Sequence, residues 1–249
     1  MSQTVERAMA ILECASTSPR PLAEIADHIG VHRTTALRLL HTLRDGGLVR
    51  RLPDGSWGAG PRLAALATRA AGQFELRETA RTHLAALQER TGHTVHLAAL
   101  RDADASIVYV DKISPPGPVR LYARVGRPVP LHTAGVSKAI LAHLAPEHAG
   151  QLLDGWEFTR HTATTLTTPA ALAQELAAVR QRGWAADDGE FEDFVHCVAV
   201  PVRNAFGEVT AAVSLTALRA QADRDTLHAL LPEVRHCARL ISADLGYTS

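Results

Sequence analysis

At 249 residues, with 46% hydrophobic side chains, the chain has the length for two domains and the apolar content for a well-buried core. Its 26 basic and 26 acidic residues cancel, so no overall basic field marks a nucleic-acid binder. No run approaches the roughly 20 apolar residues of a membrane span, and no basic-then-apolar leader is present; the expected partners exclude a membrane and the expected location is cytoplasmic. Cys14, Cys197 and Cys237 are odd in number and outside any CxxC spacing, which argues against a disulfide framework or a structural zinc site and for free thiols.

The charge balance hides an uneven distribution. Between positions 32 and 51 stand Arg33, Arg38, Arg44, Arg50 and Arg51, with His32 and His41, against one acid, Asp45. A solvated helix face reads the same way from charge alone. In chain order, residues 4–15 place Val5, Ala8, Met9 and Leu12 at helical spacing. Pro19 and Pro21 interrupt, and Leu22, Ile25, Ala26 and Ile29 restart a short second helix that ends at Gly30. Residues 32–43 predict a third helix, with Ala36, Leu39, Leu40 and Leu43 inward and Arg33, Thr34, Thr35 and Arg38 outward. Residues 48–52 and 56–58 predict a hairpin turned by Pro53-Asp54-Gly55. Helix, turn, helix, hairpin is the order of a winged helix-turn-helix, whose second motif helix enters the major groove; a helical bundle with a surface hairpin shares the pattern.

The stretch LAEIADHIGVHRTTALRLLHTLRDGGLVRRLPDGSWGAG, with the T-x-x-R-L-L spacing of Thr35, Arg38, Leu39 and Leu40, resembles the N-terminal domain of the IclR family of bacterial transcriptional regulators. The resemblance implies double-stranded operator DNA as a partner, with contacts from His32, Arg33, Thr34, Thr35 and Arg38 on the recognition helix and from Arg50 and Arg51 near the wing. Residues 61–71, rich in Ala and Leu, predict a connecting helix, and the family's habit of pairing there implies a homodimer or a dimer of dimers.

A helix over 75–90 follows, closed by Thr91-Gly92, and the pattern then turns to strands at 93–100, 106–113 and 119–125. Helices are predicted at 137–144 and at 169–182, the latter with Thr168 as N-cap and Pro169 at its first position. Strands at 196–203 and 209–216 form a hairpin, and one helix over 222–245 ends the chain. The expected class is α+β, helices covering a mainly antiparallel sheet. In the hairpin, Val198, Val200, Val213 and Leu215 form an apolar face, while Cys197, Ala199, Ser214 and Thr216 form a face dotted with polar groups. Such a face lines a pocket or is satisfied locally.

The segments PLHTAGVSKAILAHL and GWAADDGEFEDFVHCVAVPV resemble the family's GAF-like effector-binding domain. The resemblance implies a small-molecule effector, a metabolite such as a small organic acid, held by Leu121, Val129, Gly135, Val136, Asp187, Val195, Cys197, Ser214 and Thr216. The sequence departs from the family pattern where Ala134-Gly135 replaces a Thr-Ala pair, Ser137 a Gly, Gly189 a Glu and Phe194 a Gly; a bulky Phe194 at the rim is expected to reshape the pocket. Asp187 disfavours an anion unless it is protonated or hydrogen-bonded to the ligand's acid group. The domains are therefore expected at 1–60 (winged helix-turn-helix), 61–74 (linker helix) and 75–249 (effector domain).

Rival readings are weaker. His196 beside Cys197 invokes a thiol enzyme, but neighbouring strand residues face opposite ways. His93 and His96, three apart on a strand, do not share a face for a metal and read as exposed or hydrogen-bonded. Trp57, Trp156 and Trp184 read as packing residues. A sequence-tolerant architectural DNA-binding protein leaves most of the chain without a purpose. No cofactor, metal or catalytic residue is expected.

Overall fold

The computed structural model describes residues 2–71, 75–101, 105–116 and 123–248. The chain divides into two compact units, Met1–Phe74 and Glu75–Ser249.

In the first unit, α1 (Gln3–Thr17) buries Ile11, Cys14 and Ala15, three positions at helical spacing. Next come α2 (Leu22–His28) and α3 (Arg33–Asp45), joined by a turn in which Gly30 takes φ +64°, the left-handed region that favours glycine. β1 (Val49–Arg51) pairs antiparallel with β2 (Trp57–Ala59), and Arg20 and Trp57 exchange backbone hydrogen bonds of 2.9 and 2.8 Å, fastening the segment before α2 to the wing. Ile11, Ile25, Leu40, Val49 and Trp57 close the core of this unit. α4 (Pro61–Ala71) ends its described part.

The second unit opens with α5 (Leu76–Thr91), stopped by Gly92 in the left-handed conformation, and continues into β3 (Thr94–Arg101) and β4 (Ser106–Ile113). α6 (Gly135–Leu141), α7 (Pro146–Leu153) and α8 (Pro169–Arg182) follow, then β5 (Ala185–Asp188), β6 (Val195–Arg203), β7 (Val209–Leu218), α9 (Arg224–Ala229) and α10 (Leu231–Asp244). The strands make a five-stranded sheet in the order β4-β3-β7-β6-β5, antiparallel at every pairing. One face carries Val198, Val200, Val213 and Leu215 against residues of α5 and α10; the other packs Ala199 and Ala212 with Val136, Ala139 and Ile140 of α6 and Val179 of α8. With both faces covered, alternation of polar and apolar residues is faint along every central strand.

Three expectations are corrected and two elements are added. The terminal helix is two helices, because Pro232 cannot continue α9 and instead starts α10. β5, reading Ala-Ala-Asp-Asp, and the eight-residue α7 went unpredicted. The helix predicted at 137–144 starts at Gly135 and ends at Leu141. Of the strand predicted at 119–125, residues 119–122 lie outside the described residues, and Ala123, Arg124 and Val125 are not extended into a strand.

Candidate functional site

The nucleic-acid face is built on α3 and the wing. His32 is the N-cap of α3, its Nδ1 accepting from the Thr34 N–H at 3.4 Å and lying 3.0 Å from Thr34 Oγ1. His32, Arg33, Thr34 and Arg38 are exposed and Thr35 is half-buried, while Ala36 and Leu40 turn into the core. Arg44 is taken by Asp45 at 2.9 Å, but among the described residues no carboxylate lies within 4.0 Å of Arg33, Arg38, Arg50 or Arg51. Arg50 and Arg51 stand exposed on β1, beside a turn closed by the Gly55 N–H donating to Leu52 O at 3.0 Å. Four unpaired guanidinium groups on one helix and its wing are suited to phosphates and guanine edges.

The second site lies on the polar face of the sheet. Strand register brings Asp187, Cys197, Thr216 and Thr94 into one row across four strands, and Ala185, Ala199, Ser214 and His96 into the next. Directly opposed residues share a face, so the hydroxyls, the thiol and the carboxyl converge. Asp187, Cys197, Ser214, Thr216 and His96 line a cavity of about 60 Å³ together with Gly135, Val136, Val195, Tyr109, Pro130 and Phe191. Gly135, Val136, Asp187, Val195, Cys197, Ser214 and Thr216 are thus brought together as expected, whereas Leu121 lies outside the described residues. Val129 stands apart from them: it is buried in the core beside α6 and walls a neighbouring cleft rather than this cavity. Phe194 is corrected: it is 48% exposed and does not line the cavity, whose wall carries the rings of Tyr109 and Phe191. A Cβ added at Gly135 meets Cys197 Sγ at 3.1 Å and Ala199 Cβ at 3.3 Å, so glycine there widens the cavity.

His96 is among the lining residues that sequence reading missed. It is buried, its Nδ1 lies 3.3 Å from Thr216 Oγ1, and its Nε2 has no hydrogen-bond partner among the described residues. Burial, reinforced by the charge of Lys112, holds it down to about 3, so the ring is neutral and offers one nitrogen to the cavity. The signal was period two: His96 shares parity with Thr94 and its register partner Ser214.

Asp187 and Glu192 are the acids of the cavity lining. Burial pushes the Asp187 carboxyl up to about 6, against the pull of Lys138 and of the Glu190 N–H that donates to Oδ1 at 2.7 Å. Glu190 is pushed up to about 7 by burial despite the fully buried Lys138 Nζ at 2.5 Å. One ammonium serves two buried carboxyls. Burial also pushes Cys197 up to about 12, and His196 faces away from it, with Nδ1 2.8 Å from Asp188 Oδ1. The segment between β5 and β6 that carries Glu190 and Phe191 is held by threonine hydroxyls: Thr162 Oγ1 donates to Gly189 O at 2.6 Å and Thr165 Oγ1 to Glu190 O at 2.7 Å. Among the described residues no group of three potential metal ligands comes together, and no helix is long and apolar enough to cross a membrane.

The IclR helix-turn-helix domain matches residues 4–53, and the C-terminal domain of the bacterial transcriptional regulator IclR matches residues 68–243. The chain belongs to the IclR family. The HTH-type transcriptional regulator XynR of Escherichia coli K12 is 33% identical over 98% of this chain and 98% of its own. Among solved structures, an IclR transcriptional regulator from Silicibacter sp. TM1040 superposes with a TM-score of 0.85 at 25% identity, covering 100% of this chain and 97% of the other. An IclR homologue from Microbacterium hydrocarbonoxydans, complexed with 4-hydroxybenzoate, gives 0.62 at 27% identity over 97% and 98%. This IclR-family regulator therefore joins a helix-turn-helix DNA-binding domain to a C-terminal ligand-binding domain, in an α+β fold with an antiparallel sheet.

Proposed function

We propose that this regulator is a repressor that binds a promoter operator as a homodimer, or as a dimer of dimers, in the cytoplasm, and that a small organic acid in the second unit releases it. The domain limits that go with this reading are 1–60 for DNA binding, 61–74 for the linker and 75–249 for the effector domain. His32, Arg33, Thr34, Thr35 and Arg38 contact the operator from α3, and Arg50 and Arg51 grip phosphates from the wing. The observation that carries the ligand half is the convergence of Asp187, Cys197, Ser214, Thr216 and the unpartnered His96 Nε2 on one buried cavity. Buried polar atoms of this kind are costly without a partner, and a ligand supplies one. Organic acids are supported by the 4-hydroxybenzoate-bound homologue, and repression by the E. coli transcriptional repressor IclR, 30% identical over 86% of this chain. A catalytic thiol is disfavoured, since Cys197 is pushed far above neutrality and His196 lies on the other face.

Effector binding changes operator affinity by favouring one arrangement of the DNA-binding domains. The test is a mobility shift on DNA upstream of the protein's own gene, at fixed salt with excess competitor, repeated with a panel of small organic acids. A specific shift reversed by one acid is expected; salt-sensitive binding to every sequence overturns the reading. Ser214→Leu, filling the cavity, is expected to abolish the acid's effect while operator binding persists, and a normal response in that variant removes the cavity from the mechanism.

A further inference from the structure

The cavity described above is small for a metabolite. About 60 Å³ holds roughly four waters, whereas ligand pockets run to about 300–1,000 Å³. Against it lies a separate cleft of about 470 Å³, walled by Val129, His132, Trp156 and His161. The two spaces share two wall residues, Pro130 and Phe191. Pro130 has a ring closed onto its own backbone, but the Phe191 ring turns about two side-chain bonds. Phe191 is half-buried in the irregular segment between β5 and β6, and its ring stands 4.6 Å from that of His161 on the cleft side. The backbone next to it is pinned by the threonine hydroxyls, so a change in this wall falls on the side-chain torsions of Phe191, whose ring exchanges its packing on His161 for other contacts as it turns.

We infer that Phe191 is a turning partition that sets the size of the effector, which spans both spaces with a small oxygen-bearing head in the inner cavity and a flat or apolar body in the cleft. The head meets Asp187, Ser214, Thr216 and the free His96 Nε2; the body lies along Trp156 and the Val129-Pro130 wall. This rests on the reading of the inner cavity as the effector site. It also gives Val129 a place in that site, reached only after Phe191 turns.

Cys197 is a built-in reporter, because its thiol lines the inner cavity while Cys14 and Cys237 are buried elsewhere. The full-length protein is treated with methylmercury chloride or with 4-(hydroxymercuri)benzoate, each of which forms an S–Hg bond as its Hg–Cl or Hg–OH bond breaks, the thiol proton leaving with chloride or as water, and modification is followed by peptide mass spectrometry. Relative to wild type, Phe191→Ala is expected to raise the rate of the aromatic reagent at Cys197 by at least about tenfold, that of methylmercury by less than about threefold, and neither rate at Cys14 or Cys237. Phe191→Trp is expected to slow the aromatic reagent. An unchanged ratio of the two reagents at Cys197 overturns the partition. If Phe191→Ala speeds all three thiols, its fold is loosened and the milder Phe191→Leu decides by the same ratio. The outcomes separate cleanly: loss of ligand response in Ser214→Leu with an unchanged reagent ratio sinks the partition alone, whereas a normal response in Ser214→Leu sinks the effector site beneath it.

Discussion

Replacing Lys138 by Met tests the electrostatics behind the ligand cavity. Lys138 is fully buried and its ammonium stands against Glu190, while also pulling on Asp187. Removing one partner of a buried pair costs about 3–5 kcal/mol, because the other charge is left without compensation or must bind a proton. The pH dependence follows from the carboxyls. Glu190 and Asp187 are raised to about 7 and about 6, so their contribution to stability is fully present below the ordinary carboxylate range and is lost as pH rises through those values. Without Lys138 both rise further, so the variant loses more, and loses it up to a higher pH. The gap between variant and wild type is therefore expected to be about 3–5 kcal/mol at pH 8 and to shrink to about 1–2 kcal/mol at pH 5, where protons replace the ammonium. His96, held to about 3, works in the opposite direction on the acid side, but it is common to both proteins and cancels. Urea unfolding followed by tryptophan fluorescence, on a Trp57→Phe background so that Trp156 and Trp184 report on the second unit, measures the gap. Adding Glu190→Gln to Lys138→Met should recover part of the loss. An equal loss at pH 5 and pH 8, or no loss at either, refutes the shared-ammonium account.

Four further outcomes are expected. An organic acid bound beside Asp187 requires that carboxyl, raised to about 6, to hold its proton, so affinity should fall by up to about tenfold per unit as pH rises from 6 to 8; Asp187→Asn should flatten the profile in calorimetric titration. Gly135→Ala puts a methyl 3.1 Å from Cys197 Sγ and should weaken the ligand about tenfold without changing operator binding, read by mobility shift. Gly60→Ala drives a Cβ to 2.3 Å from Gly47 O, a backbone atom that cannot give way, and should cost more than about 3 kcal/mol in the DNA-binding unit while the second unit's transition stays in place by calorimetry. Arg38→Ala should cost about 1–3 kcal/mol on the operator if it reads a base, whereas Arg50→Ala and Arg51→Ala should each lower the salt slope of binding by about 0.9.

What the sequence discloses depends on where the physical signal resides. α8 is predicted at its start because Thr168 and Pro169 supply a cap and a first position within the chain itself. The polar face of Cys197, Ser214 and Thr216 follows from period two and the hairpin. β5 could not be found in this way, since Ala-Ala-Asp-Asp has little strand preference and is extended by pairing with β6. His96 was misjudged for a related reason: parity separates two faces, but when helices cover both, it does not say which of them encloses a cavity. Pro232 was legible as a break and was passed over. Phe191 and Phe194, three apart in an irregular segment, have no period to tell them apart, and only the folded chain shows Phe191 in the cavity wall and Phe194 48% exposed.

The threonine contacts at that segment separate tuning from folding. One wall of the candidate ligand cavity, the segment between β5 and β6, hangs on side-chain hydroxyls at Gly189 and Glu190, whereas the strand residues of the lining are held by rungs of the sheet. A neutral hydrogen bond of this kind contributes about 1 kcal/mol, whereas a slip of register would turn whole strands inside out. Substitutions at Thr162, Thr164 or Thr165 can thus reshape what the cavity accepts at small cost to the sheet, which lets one scaffold acquire new chemical inputs while its output, the helix on the DNA, stays as it was.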